Sequence, residues 1–100
     1  MIEQQTALLT HERLVTAAPD QRARLVEEFL LDTVRVLRPA SAAPIDGTVR
    51  LAEVGIDSLQ VVELKFELDQ VLGIEADIEL IIDNPTIAEL AANGVRGAGL

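Results

Sequence analysis

The chain contains no cysteine, so neither a disulfide framework nor a thiolate metal site is open to it. Its one histidine, His11, leaves no partner for a histidine-based zinc site or a conventional nucleophile–histidine pair. Most enzyme mechanisms are thereby excluded, and no catalytic or metal-ligating residue is assigned. Tryptophan and tyrosine are absent, and Phe29 and Phe66 are the aromatics. The core must be aliphatic, which favours packed helices over an aromatic-rich β-sandwich. No apolar run approaches the ~20 residues that span a bilayer. The opening residues, MIEQQT, put an acid where a signal peptide carries bases, so the cytoplasm is the expected location. Basic residues are scarce: 8 Lys and Arg against 17 Asp and Glu give a net charge of −9. Nucleic acid and anionic membranes are repelled by such a surface, and basic protein surfaces attracted.

What remains suffices for one domain of 100 residues, 49% of them apolar. Residues 1–45 carry 6 acids and 5 bases, a net −1, whereas residues 46–100 carry 11 acids and 3 bases, a net −8. The second half therefore dominates the field. Residues 1–18 have scattered apolar positions (Ile2, Leu8, Leu9, Leu14, Val15) and read as an N-terminal linker or extra helix, followed by a domain over 19–93 and a flexible tail over 94–100.

Within the domain, Pro19 and Asp20 suit a first helical turn, and Leu25, Phe29, Val36 with Val26, Leu30, Leu37 recur at helical spacing until Arg38-Pro39 stops them. Residues 39–55 predict a long loop, broken by Pro39, Pro44 and Gly47 and tethered to the core by Ile45, Leu51 and Val54. A second helix should begin at Asp57-Ser58, where either residue can cap and Gln60 completes a capping box, and should run to Leu72 before Gly73. Asp77 to Ile82 predicts a short helical segment, although Ile-Glu-Leu-Ile-Ile also suits a strand. Thr86 and Glu89 form a capping box for a last helix, with Ile87, Leu90 and Ala91 on one face, fraying at Asn93-Gly94. The expected fold is all-α: a small antiparallel four-helix bundle, three longer helices and one short, with a long loop between the first two main helices.

At about 100° per residue the second helix carries two apolar stripes, Val61, Leu64, Leu68, Val71 and Leu72 on one side and Leu59, Val62 and Phe66 roughly opposite. Glu63 and Glu67 fall beside the second stripe, which suits a docking surface with an acidic rim better than a closed core. Ser58 stands where the loop enters this helix. A phosphate attached to its oxygen would meet the free N–H groups and positive dipole end of the helix, although a serine there is ordinarily just a cap. Other features carry less: His11 reads as a solvated surface residue, Glu27-Glu28 as a solvated helix face, and Gly94, Gly97 and Gly99 as linker without the context of a phosphate loop.

The segment Leu51-Ala52-Glu53-Val54-Gly55-Ile56-Asp57-Ser58-Leu59, with Val62-Glu63-Leu64 and Asp83-Asn84-Pro85-Thr86, resembles the acyl carrier protein family, above all the carrier domains of polyketide synthases, over residues 20 to 92. The resemblance implies that residues 19–93 are an acyl carrier domain and that Ser58 receives a 4′-phosphopantetheine arm from coenzyme A through a phosphopantetheinyl transferase. The arm's thiol would then hold acyl groups as thioesters in a protein without cysteine. It implies further that Asp57 helps orient the transferase and its magnesium. Leu59, Val62, Glu63, Phe66 and Glu67 would contact ketosynthase, acyltransferase and other enzymes with basic patches. A non-catalytic carrier, monomeric when isolated, is expected. Ile82 stands where polyketide carriers often have an aromatic residue, and Asp77 and Glu79 stand where many are neutral. The rival readings are a peptidyl or aminoacyl carrier, a discrete starter-unit carrier, a fatty-acid carrier, and an unmodified acidic adaptor.

Overall fold

Leu14, far ahead of the first long helix in sequence, is completely buried, so the core reaches beyond the 19–93 domain. The computed structural model describes residues 9–38 and 43–100; Ile2, Leu8 and Pro39, named above, lie outside the described residues. Among the described residues there are five α-helices and no strand: α1 (His11–Thr16), α2 (Arg22–Leu37), α3 (Ser58–Leu72), α4 (Glu79–Ile82) and α5 (Ile87–Gly97). The helix beyond the expected four is α1. It is capped by Thr10, whose hydroxyl accepts from Arg13 N at 3.1 Å, and it anchors through Leu14. The radius of gyration, 12.8 Å, is that of an ordinary folded chain of this length.

A short 3-10 turn, Pro19–Gln21, leads into α2, whose buried face is Val26, Phe29, Leu30, Leu31 and Val34. α2 packs most extensively against α5, through which Ile87, Leu90, Ala91 and Val95 enter the same core. Val36 does not join it. It lies about 200° around the helix from Val34 and is 84% exposed. Glu28 is exposed and paired with Arg24 at 3.5 Å, whereas Glu27 is half-buried and covers Gly47.

The segment expected as a long loop contains a 3-10 turn, Leu51–Glu53, and is sewn to the α4–α5 junction. Ala88 N donates to Gly47 O (2.9 Å), Ile87 N to Val49 O (3.1 Å) and Leu51 N to Pro85 O (2.8 Å), around an isolated antiparallel bridge between Arg50 and Thr86. Leu51 and Val54 are buried and Ile45 half-buried, as their tethering role requires. Asp46 stiffens the start of the segment. Its Oδ1 accepts from the Thr48 hydroxyl at 2.6 Å and the Thr48 amide at 2.8 Å, and these bonds hold its carboxyl below the usual value of 3.8.

The segment that also suited a strand is the one-turn helix α4. The flexible tail expected over 94–100 is corrected: α5 continues through Gly97, Val95 is buried, and Ala98 and Leu100 pack against the core. Of the glycines that suggested linker, Gly94 has a packing reason. A Cβ on Gly94 would stand 3.2 Å from Leu72 Cδ1, so the absence of a side chain lets α5 approach α3 closely.

Candidate functional site

α3 starts and stops where its own sequence dictates. Asp57 is the N-cap: its Oδ1 accepts from Gln60 N at 2.8 Å while Gln60 Oε1 accepts from Asp57 N at 3.0 Å, a reciprocal capping box. Gln60 also donates through Nε2 to Leu37 O at 2.8 Å, which ties the entrance of α3 to the end of α2. At the other end Gly73 takes the left-handed conformation (φ 75°), and its N–H returns to Asp69 O. Asp69 secures the following turn as well, with Oδ1 accepting from Ala76 N and Oδ2 from Lys65 Nζ, each at 2.8 Å.

Because Asp57 does the capping, Ser58 is released from it. Ser58 is the first helical residue, is exposed, and its hydroxyl is engaged by no hydrogen bond among the described residues. The amides of Ser58 and Leu59 likewise find no acceptor among the described residues, whereas those of Gln60 and Val61 are taken by Asp57 Oδ1 and O. A free hydroxyl and two free N–H groups thus share one helical turn, at the end where the helix dipole favours an anion.

Beside Ser58 lies an open cleft of about 260 Å³ lined by Leu51, Ile56, Asp57, Val61, Ile81, Ile82 and Asn84 among others. The sequence reading missed this juxtaposition, since its two walls are about 25 residues apart and meet only through the stitched loop. Ile82, 68% exposed, is the chief apolar surface that α4 contributes.

The two stripes of α3 separate cleanly. Leu64, Leu68, Val71 and Leu72 are buried and Val61 half-buried, whereas Leu59, Val62 and Phe66 are 70%, 62% and 59% exposed. Val62, Glu63, Phe66 and Glu67 form one wall of a second groove, of about 600 Å³, whose other wall is Thr33, Val36 and Leu37 of α2. Leu59 is outside this groove lining, one turn nearer Ser58. Val36 was missed as a surface residue because its spacing from Phe29 mimics that of a core position. His11 is exposed as expected but engaged: its Nδ1 lies 3.0 Å from Val71 O, and its ring packs on Gly73, far from Ser58 along α3.

An all-helical fold that presents an unencumbered serine at a helix entrance defines the class, and comparison with known proteins supplies the family. Residues 28–93 match the model of the phosphopantetheine attachment site, and the chain belongs to that family. It is 37% identical over 82 residues to "Polyketide synthase GfsB" of Streptomyces halstedii and 32% identical over 81 residues to "Erythronolide synthase EryA2" of Saccharopolyspora erythraea, matches that cover 81% and 80% of this chain. Identity to "6-methylsalicylic acid synthase" of Aspergillus terreus is 31% over 72 residues, 72% of the chain. The chain spans 2% of the length of the first two relatives and 4% of the third. No solved structure gives a significant match.

Domains of this family are carriers rather than catalysts, and membership implies a covalently attached 4′-phosphopantetheine. The residues present fit such a group, since an exposed, unbonded hydroxyl with two free amides on the same turn opens beside a cleft of mixed apolar and polar lining. When bound, the arm supplies a terminal thiol, the acyl-holding group that this cysteine-free chain lacks.

Proposed function

We propose that this chain is an acyl carrier of polyketide biosynthesis, modified at Ser58, which holds intermediates as thioesters and delivers them to partner enzymes. The observation that carries this reading is the division of labour at the start of α3: Asp57 caps the helix, and the Ser58 oxygen is left exposed and unbonded. In the modification, Ser58 Oγ forms a bond to the phosphorus that bears pantetheine in coenzyme A. The phosphoanhydride bond breaks, adenosine 3′,5′-bisphosphate leaves, and the hydroxyl proton passes to the transferase or to solvent. Asp57 is exposed, and its Oδ1 is committed to Gln60. By the family resemblance its carboxylate would help orient the transferase and its magnesium.

Docking belongs to the outward stripe of α3. Leu59, Val62 and Phe66 offer apolar contact, and Glu63 and Glu67 stand one turn apart beside them, matching a ketosynthase, acyltransferase or other enzyme with a basic patch. The relatives are named as polyketide synthases, which favours acyl over peptidyl cargo. The carrier would act as a monomer in the cytoplasm; no helix of the described residues is long and apolar enough to cross a membrane.

The test is incubation with coenzyme A and a broad-specificity phosphopantetheinyl transferase, followed by intact mass measurement. A gain of one phosphopantetheine that disappears in Ser58→Ala supports the proposal. An unchanged mass, with a transferase shown to modify another carrier in parallel, overturns it in favour of an unmodified acidic adaptor.

A further inference from the structure

Asn84 has φ 52°, the one non-glycine residue in the left-handed region among those described. Such a conformation is disfavoured for a residue with a Cβ, and asparagine is among the few side chains that tolerate it. Here both polar ends of Asn84 are employed. Its side-chain Oδ1 accepts from Ala52 N at 2.9 Å, and its backbone carbonyl accepts from Arg50 Nη1 at 2.9 Å. The Ala52 amide belongs to the 3-10 turn Leu51–Glu53, whose own N-cap residue, Arg50, makes no side-chain capping bond. Asn84 thus caps that turn from 32 residues away.

The position of this bond gives it more than local importance. Between Ala52 and the Asp57 cap run Val54, fully buried, and Gly55, with φ 92°. The route into α3 is therefore fixed at its downstream end by the capping box and at its upstream end by Asn84. The loop's other stitches, Ala88 to Gly47, Ile87 to Val49 and Leu51 to Pro85, are backbone bonds that a side-chain substitution leaves in place. The Asn84 amide oxygen is the last stitch before Ser58. Asn84 also lines the cleft beside Ser58, together with Ile81 and Ile82 on the wall facing Ile56 and Val61.

We infer that Asn84 is a positioning residue for the modification of Ser58: its amide oxygen holds the loop so that α3 presents the serine in one orientation across a cleft of fixed width. The inference rests on the reading of Ser58 given above. Without the bond to Ala52 N, the entering segment samples several orientations, and only a fraction of molecules present Ser58 in the form the transferase engages. A smaller competent fraction raises the apparent KM by the inverse of that fraction and leaves kcat unchanged. General loosening of the bundle has no such signature when the assay is run well below the melting temperature.

The variants are Asn84→Gly, which adopts the left-handed backbone freely but has no acceptor, and Asn84→Asp, which keeps an acceptor oxygen and still tolerates that backbone. Full-length chains are modified with coenzyme A and a broad-specificity transferase, kcat and KM are measured by mass, and amide exchange is followed at Ala52. For Asn84→Gly the expected result is a KM raised by up to about fivefold, the ceiling that the loss of one neutral hydrogen bond sets on the fall of the competent fraction, with kcat unchanged and faster exchange at Ala52. Asn84→Asp should restore both. Wild-type kinetics in Asn84→Gly would overturn the inference while leaving the carrier reading intact, and so would equal impairment of the two variants. A wild-type chain that gains no mass, or a Ser58→Ala chain that still gains it, removes the reading of Ser58 and the inference falls with it.

Discussion

The guanidinium of Arg22 donates to the backbone oxygen of Leu100 at 3.1 Å, across 78 residues of sequence. The same side chain donates from Nε to Leu14 O at 3.2 Å and from Nη2 to Val15 O at 2.9 Å. One planar cation thereby reaches two carbonyls of the last turn of α1, that of Leu14, which also accepts from Ala17 N at 3.2 Å, and that of Val15, and holds the segment after α5 beside them. Both stretches lie outside residues 28–93, the part that matches the family model. Arg22 joins the flanks of the domain to its core.

Replacement of Arg22 by alanine should therefore lower stability by about 1–3 kcal/mol, the cost of leaving the partly buried Val15 carbonyl unsatisfied and of releasing the segment after α5. Arg22→Lys should recover less than half of that, since a point charge cannot serve three acceptors in a fixed fork. Urea unfolding gives the energies, and amide exchange over 95–100 should quicken in both variants. An unchanged unfolding midpoint in Arg22→Ala would show that the clamp contributes nothing.

The bounds of α3 were legible because its signals are local: Asp57, Gln60 and Gly73 each act within one turn. The outward stripe was legible too, since Glu63 and Glu67 would be costly in a core. Less local features escaped. The end of α5 was misjudged because glycines at 94, 97 and 99 argue for linker by propensity, whereas packing of Gly94 on Leu72 and burial of Val95 override it. Neither the role of Arg22 nor the bond from Ala52 to Asn84 can be read from spacing, for each joins residues that only the folded chain brings together. The exposure of Ser58 depended on which of two adjacent residues became the cap, and that is a matter of side-chain geometry.

Leu64 and Leu68 are fully buried at the face where α3 meets the rest of the core. Truncation of either to alanine removes several methyl groups and leaves a cavity, so each variant should lose roughly 2–5 kcal/mol by chemical denaturation. Leu59→Ala on the opposite stripe, where the side chain is 70% exposed, should change stability by no more than about 0.5 kcal/mol. Similar losses on both faces would contradict the separation of the stripes.

Asp46 gives a pH dependence of definite sign. Its carboxylate accepts two hydrogen bonds from Thr48, so its folded-state value is depressed below 3.8. The unfolded state then binds the proton more readily, and stability rises with pH through this window. The contribution is complete above the ordinary value and is lost as pH falls through the depressed one. In a carbon-detected NMR titration the Asp46 carboxyl should show a midpoint below 3.8. Thr48→Val, which removes the hydroxyl and keeps the amide, should move the midpoint part of the way back; an unmoved midpoint would deny the hydroxyl its role.

Glu63 and Glu67 project from α3 at the edge of the groove that Phe66 and Val36 line, and both are exposed. Charge reversal at either position should alter stability by no more than about 0.5 kcal/mol, because exposed charges are well solvated in the folded and unfolded states alike. Productive encounter with a partner enzyme is different, since a pair of carboxylates one turn apart steers a basic patch from a distance and salt weakens that steering. Glu63→Lys and Glu67→Lys carriers, loaded with an acyl group, should react more slowly with a ketosynthase at low salt, with the deficit shrinking as salt rises. Phe66→Ala should slow the same reaction at every salt concentration, because it removes apolar contact rather than charge. If the glutamate variants lose helicity by circular dichroism, or if their deficit ignores salt, the acids act in folding and not in docking.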